Sequence, residues 1–398
     1  MIDRARVAAD TPAAARQVFL DCAGSSLPPT PVLETVVGHL RREAEVGGYR
    51  AAAERADDLH ALRAGLGRLL GARPDDIVLT DSATRAWTQF FYAVPLGPGD
   101  RILLTGVEYA SNAVAALQRA RLTGASVQVV PGGPDGRVDL RALADLLDEH
   151  VKVVSLVHVP TNSGLVNPVR EVADLAHRHG AVVLLDACQS VGQLRLDVTE
   201  LGVDALTGTG RKWLRGPRGT GFGYLHPRLA GTWEPPAIDL YGATWEEPDR
   251  YRLRPDAGRF ELWESDVAGR LGLGAAVDYL LELGVDAVQE AVTGNAHRLR
   301  EALSGITGVR ITDRGERLCG IVTFTVDGLA AAAVRDALAA YDVTVTVSGG
   351  ASTLLDMRAR GLTSVVRASP HYFVRPEDLD RAAQAVDDIV RTSKTPKD

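Results

Sequence analysis

The sequence predicts an α/β protein of the doubly wound type, in which helices cover both faces of a mainly parallel sheet. Between residues 75 and 225, short apolar runs alternate with amphipathic helical patterns. The chain has 398 residues, which exceeds the size at which one hydrophobic core stops growing. We therefore expect a large domain over 16–260 and a smaller α+β domain over 261–398 that also includes 1–15.

Five apolar runs in the first half are predicted strands. They are nearly continuous and rich in β-branched residues, which is typical of strands buried on both faces of a parallel sheet. These runs are 76–80, 100–105, 126–131, 151–159 and 181–187, and a sixth precedes Lys212. The segments between them have helical spacing, and Ser82, Ser111 and Asp139 are predicted N-caps.

The second half has a different pattern. Residues 233–259 are rich in Pro, Trp, Glu and Arg without periodicity, and we expect a long functional loop there. A helical pattern then continues to about Ile306. The remaining segments alternate between apolar runs and helical patterns, and the predicted elements are strands at 309–313, 321–328, 343–348 and 364–370 and helices at 329–341 and 376–390.

Composition excludes several classes of protein. The net charge is −7, which argues against nucleic acid as a partner because phosphate binding needs a basic face. The three cysteines are far apart and form no CxxC pair, so we expect neither disulfides nor a metal site. There is no apolar run long enough for a membrane span and no secretory signal. A cytoplasmic enzyme is the expectation.

Polar residues follow several predicted strands, and ligands of doubly wound sheets bind at these carboxyl ends. Ser82 and Thr84 open a helix where backbone N–H groups can hold an anion, although simple capping is the commoner role of such residues. Asp186 ends a buried strand and needs a partner. A protonated pyridine nitrogen would serve, and a helix cap or a backbone-satisfied carboxylate is an equally good interpretation.

Lys212 follows the last strand of this series and is flanked by glycines. Taken alone it would indicate a solvated basic loop. Together with Asp186 and the Ser82–Thr84 turn it predicts an enzyme that uses pyridoxal 5′-phosphate (PLP). Lys212 would hold the PLP aldehyde as a Schiff base and later move protons at the substrate α-carbon. Asp186 would keep the ring nitrogen protonated, so that the ring accepts electrons.

The order of these motifs resembles class V of the PLP-dependent aminotransferase-type enzymes, a fold type I group that includes the cysteine desulfurases. The resemblance extends from about Asp21 to Arg381. It implies that Ala83 and Thr84 bind the PLP phosphate. It also implies that Tyr109 takes the place of the ring-stacking histidine of the family, which a tyrosine can do equally well.

Further motif matches assign other residues. The resemblance places Thr161 and Gln189 near the phenolic oxygen of PLP, and Thr209 and Arg211 belong to the motif that ends at the lysine. Arg367, in an R-A-S element, would bind the substrate carboxylate through two parallel hydrogen bonds.

The N-terminal motif of the family resembles residues 20–26, and this match makes Gly24 a candidate for substrate binding.

Two departures from the family pattern affect the predicted chemistry. Cysteine desulfurases carry a persulfide-forming cysteine shortly before the R-A-S element, whereas residues 348–353 contain none and Cys319 is expected in the core. A persulfide-forming desulfurase is therefore disfavoured. The G-T motif that reaches the partner subunit's phosphate is replaced by residues 259–264, and Arg259 or the Arg215–Arg218 group could substitute for it.

A sub-branch of the family is more similar. Residues 39–54 and 211–222 resemble the ergothioneine-pathway sulfoxide C–S lyases, and lincosamide-pathway PLP enzymes that act on cysteine S-conjugates look related. This resemblance makes Tyr49 and Arg50 candidates for the substrate cleft. A helix-end aromatic packed on the domain is an equally good interpretation of Tyr49.

Three hypotheses of function follow. The first is β-elimination from an amino-acid substrate, in which Lys212 removes the α-proton and the Cβ–S bond breaks. The second is an aminotransferase or a decarboxylating oxidative deaminase, which would use the same cofactor residues. The third is a nicotinamide dehydrogenase, which is disfavoured because no G-x-G-x-x-G turn is present, or a non-catalytic binding protein, which is disfavoured because the chain keeps both Lys212 and Asp186. The resemblance also implies a homodimer.

Overall fold

The computed structural model describes residues 2–394. Met1 and residues 395–398, which end the predicted small domain, lie outside the described residues. The described strands are β1 (Val18–Phe19), β2 (Ile77–Thr80), β3 (Arg101–Thr105), β4 (Ser126–Val130), β5 (Val151–Val157), β6 (Val182–Asp186), β7 (Ala205–Thr209), β8 (Gly221–Leu225), β9 (Ala243–Glu247), β10 (Arg250–Leu253), β11 (Val309–Ile311), β12 (Val322–Val326), β13 (Val343–Thr344), β14 (Thr346–Gly349) and β15 (Ser364–Ala368).

The described part of the chain also forms helices between and after these strands. They are α1 (Arg4–Asp10), α2 (Cys22–Ser25), α3 (Thr30–Val46), α4 (Gly48–Ala53), α5 (Ala56–Leu70), α6 (Ala83–Ala93), α7 (Ala110–Thr123), α8 (Leu140–Leu146), α9 (Val169–Arg178), α10 (Val198–Leu201), α11 (Pro227–Ala230), α12 (Val267–Leu283), α13 (Val285–Ser304), α14 (Ala331–Ala339), α15 (Leu354–Ala359) and α16 (Pro376–Lys394). Short 3-10 turns lie at Pro12–Ala15, Pro74–Asp76 and Ala257–Phe260.

The largest sheet has seven strands in the order β2-β8-β7-β6-β5-β3-β4. The five strands β7, β6, β5, β3 and β4 pair in parallel with one another in this order, whereas β8 is antiparallel to both β2 and β7. Alternate residues of β2 enter different apolar clusters, Ile77 and Leu79 one and Val78 the other. Both faces of the sheet are thus covered, and the predicted doubly wound, mainly parallel fold is confirmed.

A second sheet of four strands, β11-β12-β15-β14, is antiparallel throughout. Near it, β1 pairs in parallel with β13, so a segment close to the N-terminus joins strands of the C-terminal part. Helix α12, which follows the loop at 261–266, packs against α3 and α5. These contacts join segments from both predicted domains and do not define a domain boundary. The division into domains at 16–260 and 261–398 therefore stays a prediction.

The structure corrects several predicted elements. The expected loop at 233–259 contains an exposed hairpin, β9–β10. Strand β4 lies at a sheet edge and is largely accessible, so it is not buried on both faces. The helical pattern up to Ile306 is divided between α12 and α13, and the run 343–348 is divided between β13 and β14, which pair with different strands.

Two N-caps were predicted correctly and one was not. Ser82 caps α6 by accepting a hydrogen bond from the Arg85 N–H, and Asp139 caps α8. Helix α7, however, begins one residue before Ser111, with Tyr109 at the cap position. The N–H of Ala110 donates to the carbonyl oxygen of Ser352 at 2.9 Å, so a distant loop satisfies the first N–H of the helix.

Candidate active site

Three strands of the large sheet meet at one cleft. Strands β2 and β7 end where the antiparallel strand β8 begins, with Gly221 paired to both Thr80 and Thr209. The cleft at this point has a volume of about 350 Å³. All nine predicted cofactor residues line it, namely Ala83, Thr84, Tyr109, Thr161, Asp186, Gln189, Thr209, Arg211 and Lys212.

Lys212 lies in the loop after β7 and its amine is buried in the cleft. Burial lowers the pKa of Lys212, because the charged ammonium loses its hydration. Among residues 2–394, no carboxylate lies within ion-pair distance of its amine. A larger share of the side chain is therefore in the neutral form, which is the form that attacks a carbonyl carbon.

Arg215 fixes the loop that carries Lys212. It is 1% exposed and donates hydrogen bonds to the Leu27 carbonyl oxygen, the Tyr372 hydroxyl and the Thr11 hydroxyl. Its φ of 62° lies in the left-handed region, so the backbone turns sharply here. The expectation that Arg215 substitutes as a phosphate ligand is thus wrong, since its guanidinium is engaged away from the cleft.

Arg218 and Arg259, the other candidates for that phosphate contact, are placed differently. Arg218 lines the cleft. Arg259 donates to the carbonyl oxygens of Arg254 and Trp233 and is not a lining residue. Of these arginines, Arg218 is the one the structure brings to the site.

Asp186 stands at the end of β6 and accepts two hydrogen bonds. The Asn112 amide donates to Oδ2 at 3.0 Å, and the Cys188 backbone N–H donates to Oδ1 at 3.0 Å. Each carboxylate oxygen retains a lone pair, because an ionised carboxylate has about four acceptor sites. The carboxylate is therefore held in one orientation and can still accept a hydrogen bond from a ligand in the cleft.

Gln189 connects the cleft with its surroundings. Its Nε2 donates to the Ala23 carbonyl oxygen at 3.0 Å and to the Thr161 hydroxyl at 3.3 Å, and its Oε1 accepts from the Trp213 indole at 3.0 Å. The side chain is 3% exposed. Gln189 thus fixes the Thr161 hydroxyl, which lines the same cleft.

The first turn of α6 lines the cleft and is the candidate phosphate-binding end of it. Ala83 and Thr84 open this helix, so their backbone N–H groups have no partner within it. Backbone N–H groups of this kind favour phosphate. A Cβ at Gly221 would overlap the backbone of Ser82 and Ala83, so the close approach of β8 to this turn requires glycine.

Tyr109 and Arg211 complete the predicted cofactor residues. Tyr109, at the cap position of α7, is 37% exposed and lines the cleft, so its ring is available to cover one face of a flat ligand. The Nη1 of Arg211 donates to the Thr209 hydroxyl at 3.1 Å. Both side chains are where the resemblance predicts them, and their roles stay predictions.

Arg367, the predicted carboxylate ligand, is engaged within the protein. Its Nη1 donates to the Thr161 hydroxyl at 2.7 Å, and its Nη2 donates to Asp21 Oδ1 at 3.0 Å. Burial lowers the pKa of Arg367 and raises that of Asp21. The two groups form an ion pair beside the cleft, with Thr161 joining Arg367 to the cleft wall.

The remaining candidates for substrate binding, Gly24 and Tyr49, lie in different surroundings. Gly24 lies against Asp21, and a Cβ at Gly24 would approach the Asp21 carboxylate at 2.6 Å. The absence of a side chain at Gly24 thus leaves space for the carboxylate of Asp21, which is the ion-pair partner of Arg367. Tyr49, in α4, is 82% exposed and is neither a lining residue of the cleft nor packed on the domain.

The cysteines are also placed by the structure. Cys22 and Cys319 are fully buried, and the expectation that Cys319 lies in the core is confirmed. Cys188 lines the cleft beside Asp186 and Lys212, and burial raises its pKa well above the usual value. Its thiol is therefore kept neutral.

Sequence reasoning missed several lining residues, among them Asn112, Cys188, Thr207 and Thr220. Cys188 lies between the predicted site residues Asp186 and Gln189 and could have been found from its position. Asn112 and Thr207 lie inside a helix and a strand, where a polar residue in an apolar pattern is the available signal.

The fold and the cleft define a doubly wound α/β protein with a buried lysine and a buried carboxylate at its strand ends. Residues 18–382 match the family described as Aminotransferase class-V. The chain therefore belongs to the class V aminotransferase family.

Relatives named probable cysteine desulfurase are similar over nearly the whole chain. The one from Halalkalibacterium halodurans is 29% identical and covers 93% of this chain and 92% of its own. The one from Halobacterium salinarum is 31% identical and covers 97% and 96%. Among solved structures, the apo cysteine desulfurase of Thermococcus onnurineus has a TM-score of 0.89 at 25% identity, covering 98% of this chain and 99% of that chain.

The cystine C–S lyase C-DES shares the fold, with a TM-score of 0.85 at 24% identity over 95% of this chain and 99% of that chain. A structure of a C-DES mutant has glycine covalently linked to PLP.

PLP is the cofactor of this family, and the residues present fit it. Lys212 offers a buried amine without an ion-pair partner among the described residues, and Asp186 offers a fixed carboxylate. The Thr207 hydroxyl lines the cleft and is buried without a hydrogen-bond partner in the described part of the chain, so a polar ligand is accommodated there.

None of the helices in residues 2–394 is long and apolar enough to cross a membrane.

Proposed function

We propose that this protein is a C–S β-lyase that acts on a cysteine S-conjugate or its sulfoxide. Water and the substrate would give pyruvate, ammonia and a thiol, or a sulfenic acid from a sulfoxide. The observation that carries this proposal concerns the cleft. It holds a buried lysine and lies beside a buried arginine, yet no cysteine of the sequence lies at 348–353, where the related desulfurases carry theirs.

PLP, when bound, supplies an electron-accepting ring that stabilises negative charge at the substrate α-carbon. Residues of the chain would supply proton transfer, binding and orientation. Lys212 would hold the cofactor, and its Nζ would take the proton from the substrate α-carbon. Its depressed pKa suits this role, since a base must be unprotonated to accept a proton.

The other residues bind and orient. The Asp186 carboxylate would accept a hydrogen bond from the ring nitrogen, and Tyr109 would cover one ring face. The first turn of α6 would hold the phosphate. Arg367 binds the substrate carboxylate when Asp21 releases its Nη2, so that Asp21 occupies the carboxylate position in the absence of substrate.

The persulfide route of a desulfurase is not supported by the thiols of this chain. That route needs a thiolate that reaches the substrate sulfur. Cys22 and Cys319 are fully buried, and the raised pKa of Cys188 keeps its thiol protonated. Elimination needs no such nucleophile, because Cβ–S cleavage follows the loss of the α-proton.

The test is product analysis with purified holoenzyme. S-Methyl-L-cysteine, its sulfoxide and L-cysteine are each supplied, and pyruvate, alanine and intact-substrate keto acid are quantified. We expect pyruvate in amounts equal to ammonia, and none with Lys212→Ala. Lys152→Ala, a surface lysine variant, should retain the activity.

Alternative products would identify a different reaction. Alanine with sulfide from L-cysteine would show a desulfurase and overturn the proposal. A keto acid that retains the substrate's carbon–sulfur bond would show transamination, and carbon dioxide release would show the decarboxylating oxidative deaminase.

We also propose that the protein is a homodimer and acts in the cytoplasm. Helix α7 presents exposed apolar side chains, with Val114 66% and Leu117 60% accessible, beside a groove of about 800 Å³ that includes Tyr92. This groove begins at Ala110, next to Tyr109 of the cleft, so a second copy seated on it would lie near the site. The three cysteines are free thiols, which suits a reducing compartment.

A further inference from the structure

Two buried carboxylates share one amide group behind the cleft. The Nδ2 of Asn112 donates to Glu108 Oε1 at 2.9 Å and to Asp186 Oδ2 at 3.0 Å. A side-chain amide has two N–H donors, so both are used. The three side chains are each less than a tenth exposed, at 3%, 2% and 7% for Asn112, Glu108 and Asp186.

Each carboxylate is also tied to the backbone. Glu108 Oε1 accepts from the Tyr109 N–H at 2.9 Å, and Asp186 Oδ1 accepts from the Cys188 N–H at 3.0 Å. Asn112 therefore joins two carboxylates that are already anchored. This leaves Asp186 little freedom to rotate about its side-chain bonds.

The two carboxylates differ in their other oxygen. Glu108 Oε2 is buried and has no hydrogen-bond partner among the described residues. Burial, and to a lesser extent the charge of Asp186, raises the pKa of Glu108 to about 8, because these two effects outweigh the hydrogen bonds that favour its charged form. The two carboxylates are bonded to the same amide nitrogen, so their negative charges would repel each other. At neutral pH the Glu108 carboxyl is thus uncharged, whereas both oxygens of Asp186 accept hydrogen bonds.

We propose that Asn112 and Glu108 are positioning residues for the ring-nitrogen partner: uncharged Glu108 holds the Asn112 amide, and Asn112 holds the Asp186 carboxylate toward the cleft. This inference rests on the proposed function, because it requires a pyridine nitrogen in front of Asp186. It assigns a use to Glu108, a buried acid that no step of the reaction employs. A charged Glu108 would instead repel the Asp186 carboxylate on the other side of the Asn112 amide.

The test is a spectrophotometric pH titration of the bound cofactor, combined with the dissociation constant for PLP. In Asn112→Ala and Asn112→Asp, the titration midpoint should move by about one pH unit and PLP should bind about tenfold more weakly. Glu108→Gln, an uncharged isostere, should keep the wild-type midpoint, whereas Glu108→Ala should move it like the Asn112 variants.

Asn295→Ala provides the matched control. Asn295 is also buried, and its amide donates to the carbonyl oxygens of His371 and Val374, away from the cleft. Its replacement should lower the melting temperature without moving the titration midpoint. Folding of all variants is compared by circular dichroism, and Asn112→Asp keeps the side-chain volume if Asn112→Ala proves unstable.

Unchanged midpoints and PLP affinities in the folded Asn112 variants would overturn the positioning role while leaving the PLP enzyme intact. A Glu108→Gln midpoint shifted as far as that of Glu108→Ala would overturn the uncharged state of Glu108. Failure of the wild type to bind PLP would instead refute the proposed function, so the two failures are distinguishable.

Discussion

At the scale of single residues, the pairing of Arg367 with Asp21 leads to a test of substrate binding. Replacing Asp21 with Asn removes the anion that holds Nη2, and Arg367 becomes freer to bind a substrate carboxylate. We expect a lower KM for Asp21→Asn. Replacing Arg367 with Lys removes the bidentate geometry and should raise KM by about tenfold or more.

These constants would come from steady-state kinetics with S-methyl-L-cysteine sulfoxide. Arg391→Lys, on the exposed face of α16, serves as the matched control and should leave KM unchanged. A wild-type KM in Arg367→Lys would contradict the carboxylate role of Arg367.

The buried acid Glu108 predicts a pH dependence of stability. Its pKa is raised from the ordinary 4.5 to about 8 in the folded chain. Between these values the folded state binds more protons than the unfolded state, so the free energy of unfolding falls as pH rises. Glu108→Gln lacks this proton. We therefore expect the stability of the wild type, relative to Glu108→Gln, to decrease from about pH 5 to about pH 8.

Urea denaturation at several pH values measures this difference. The exposed variant Glu149→Gln should show no such trend relative to the wild type. A stability difference between the wild type and Glu108→Gln that stays constant across this range would mean that Glu108 is already ionised in the folded protein.

At the scale of secondary-structure elements, β8 and the first turn of α6 are mutually dependent. A Cβ at Gly221 would overlap the backbone of Ser82 and Ala83, so Gly221→Ala must displace the phosphate-binding turn. We expect a loss of about 1–3 kcal/mol in stability, as for other overpacked sites, and PLP binding about tenfold weaker.

Gly294→Ala is the control for this change. Gly294 lies in α13, and its Cβ would meet no atom within 4 Å. Helix propensity alone should then raise stability by about 0.5–1 kcal/mol. Thermal melts measure the stability of both variants, and PLP titration measures their affinity for the cofactor. Normal PLP affinity in Gly221→Ala would show that the turn tolerates the added methyl group.

Strand β8 is an element that the sequence pattern does not predict. Strand β8 was not predicted, because its sequence GFGYL contains two glycines, which weaken a strand signal. Its glycines are required by neighbours that the sequence does not reveal, since Gly221 and Gly223 approach α6 closely. The parallel strands β3, β5 and β6 were predicted correctly because burial on both faces leaves continuous apolar runs.

At the scale of the whole molecule, the apolar face of α7 leads to a test of assembly. Leu117→Glu places a charge in the groove and should convert the dimer to a monomer, because an unpaired charge in a buried interface is costly. Leu240→Glu, at a site that is 71% exposed and outside this groove, is the control and should leave the mass unchanged. Light scattering coupled to size-exclusion chromatography measures both, and a monomeric wild type would refute the homodimer.

The sequence by itself determined the class of fold, the order of most strands and helices, and the polar residues at the strand ends. These features are local, since periodicity, caps and strand-end residues are encoded within a few positions of each other. For that reason the nine predicted cofactor residues all lie in the cleft.

The tertiary structure decided which distant groups meet. Arg367 and Asp21 are 346 residues apart in sequence, and Asn112 and Asp186 are 74 apart. Arg215, expected at the phosphate, is instead held by Thr11 and Tyr372. No local pattern encodes such pairings, because each depends on the packing of elements that are far apart in the chain.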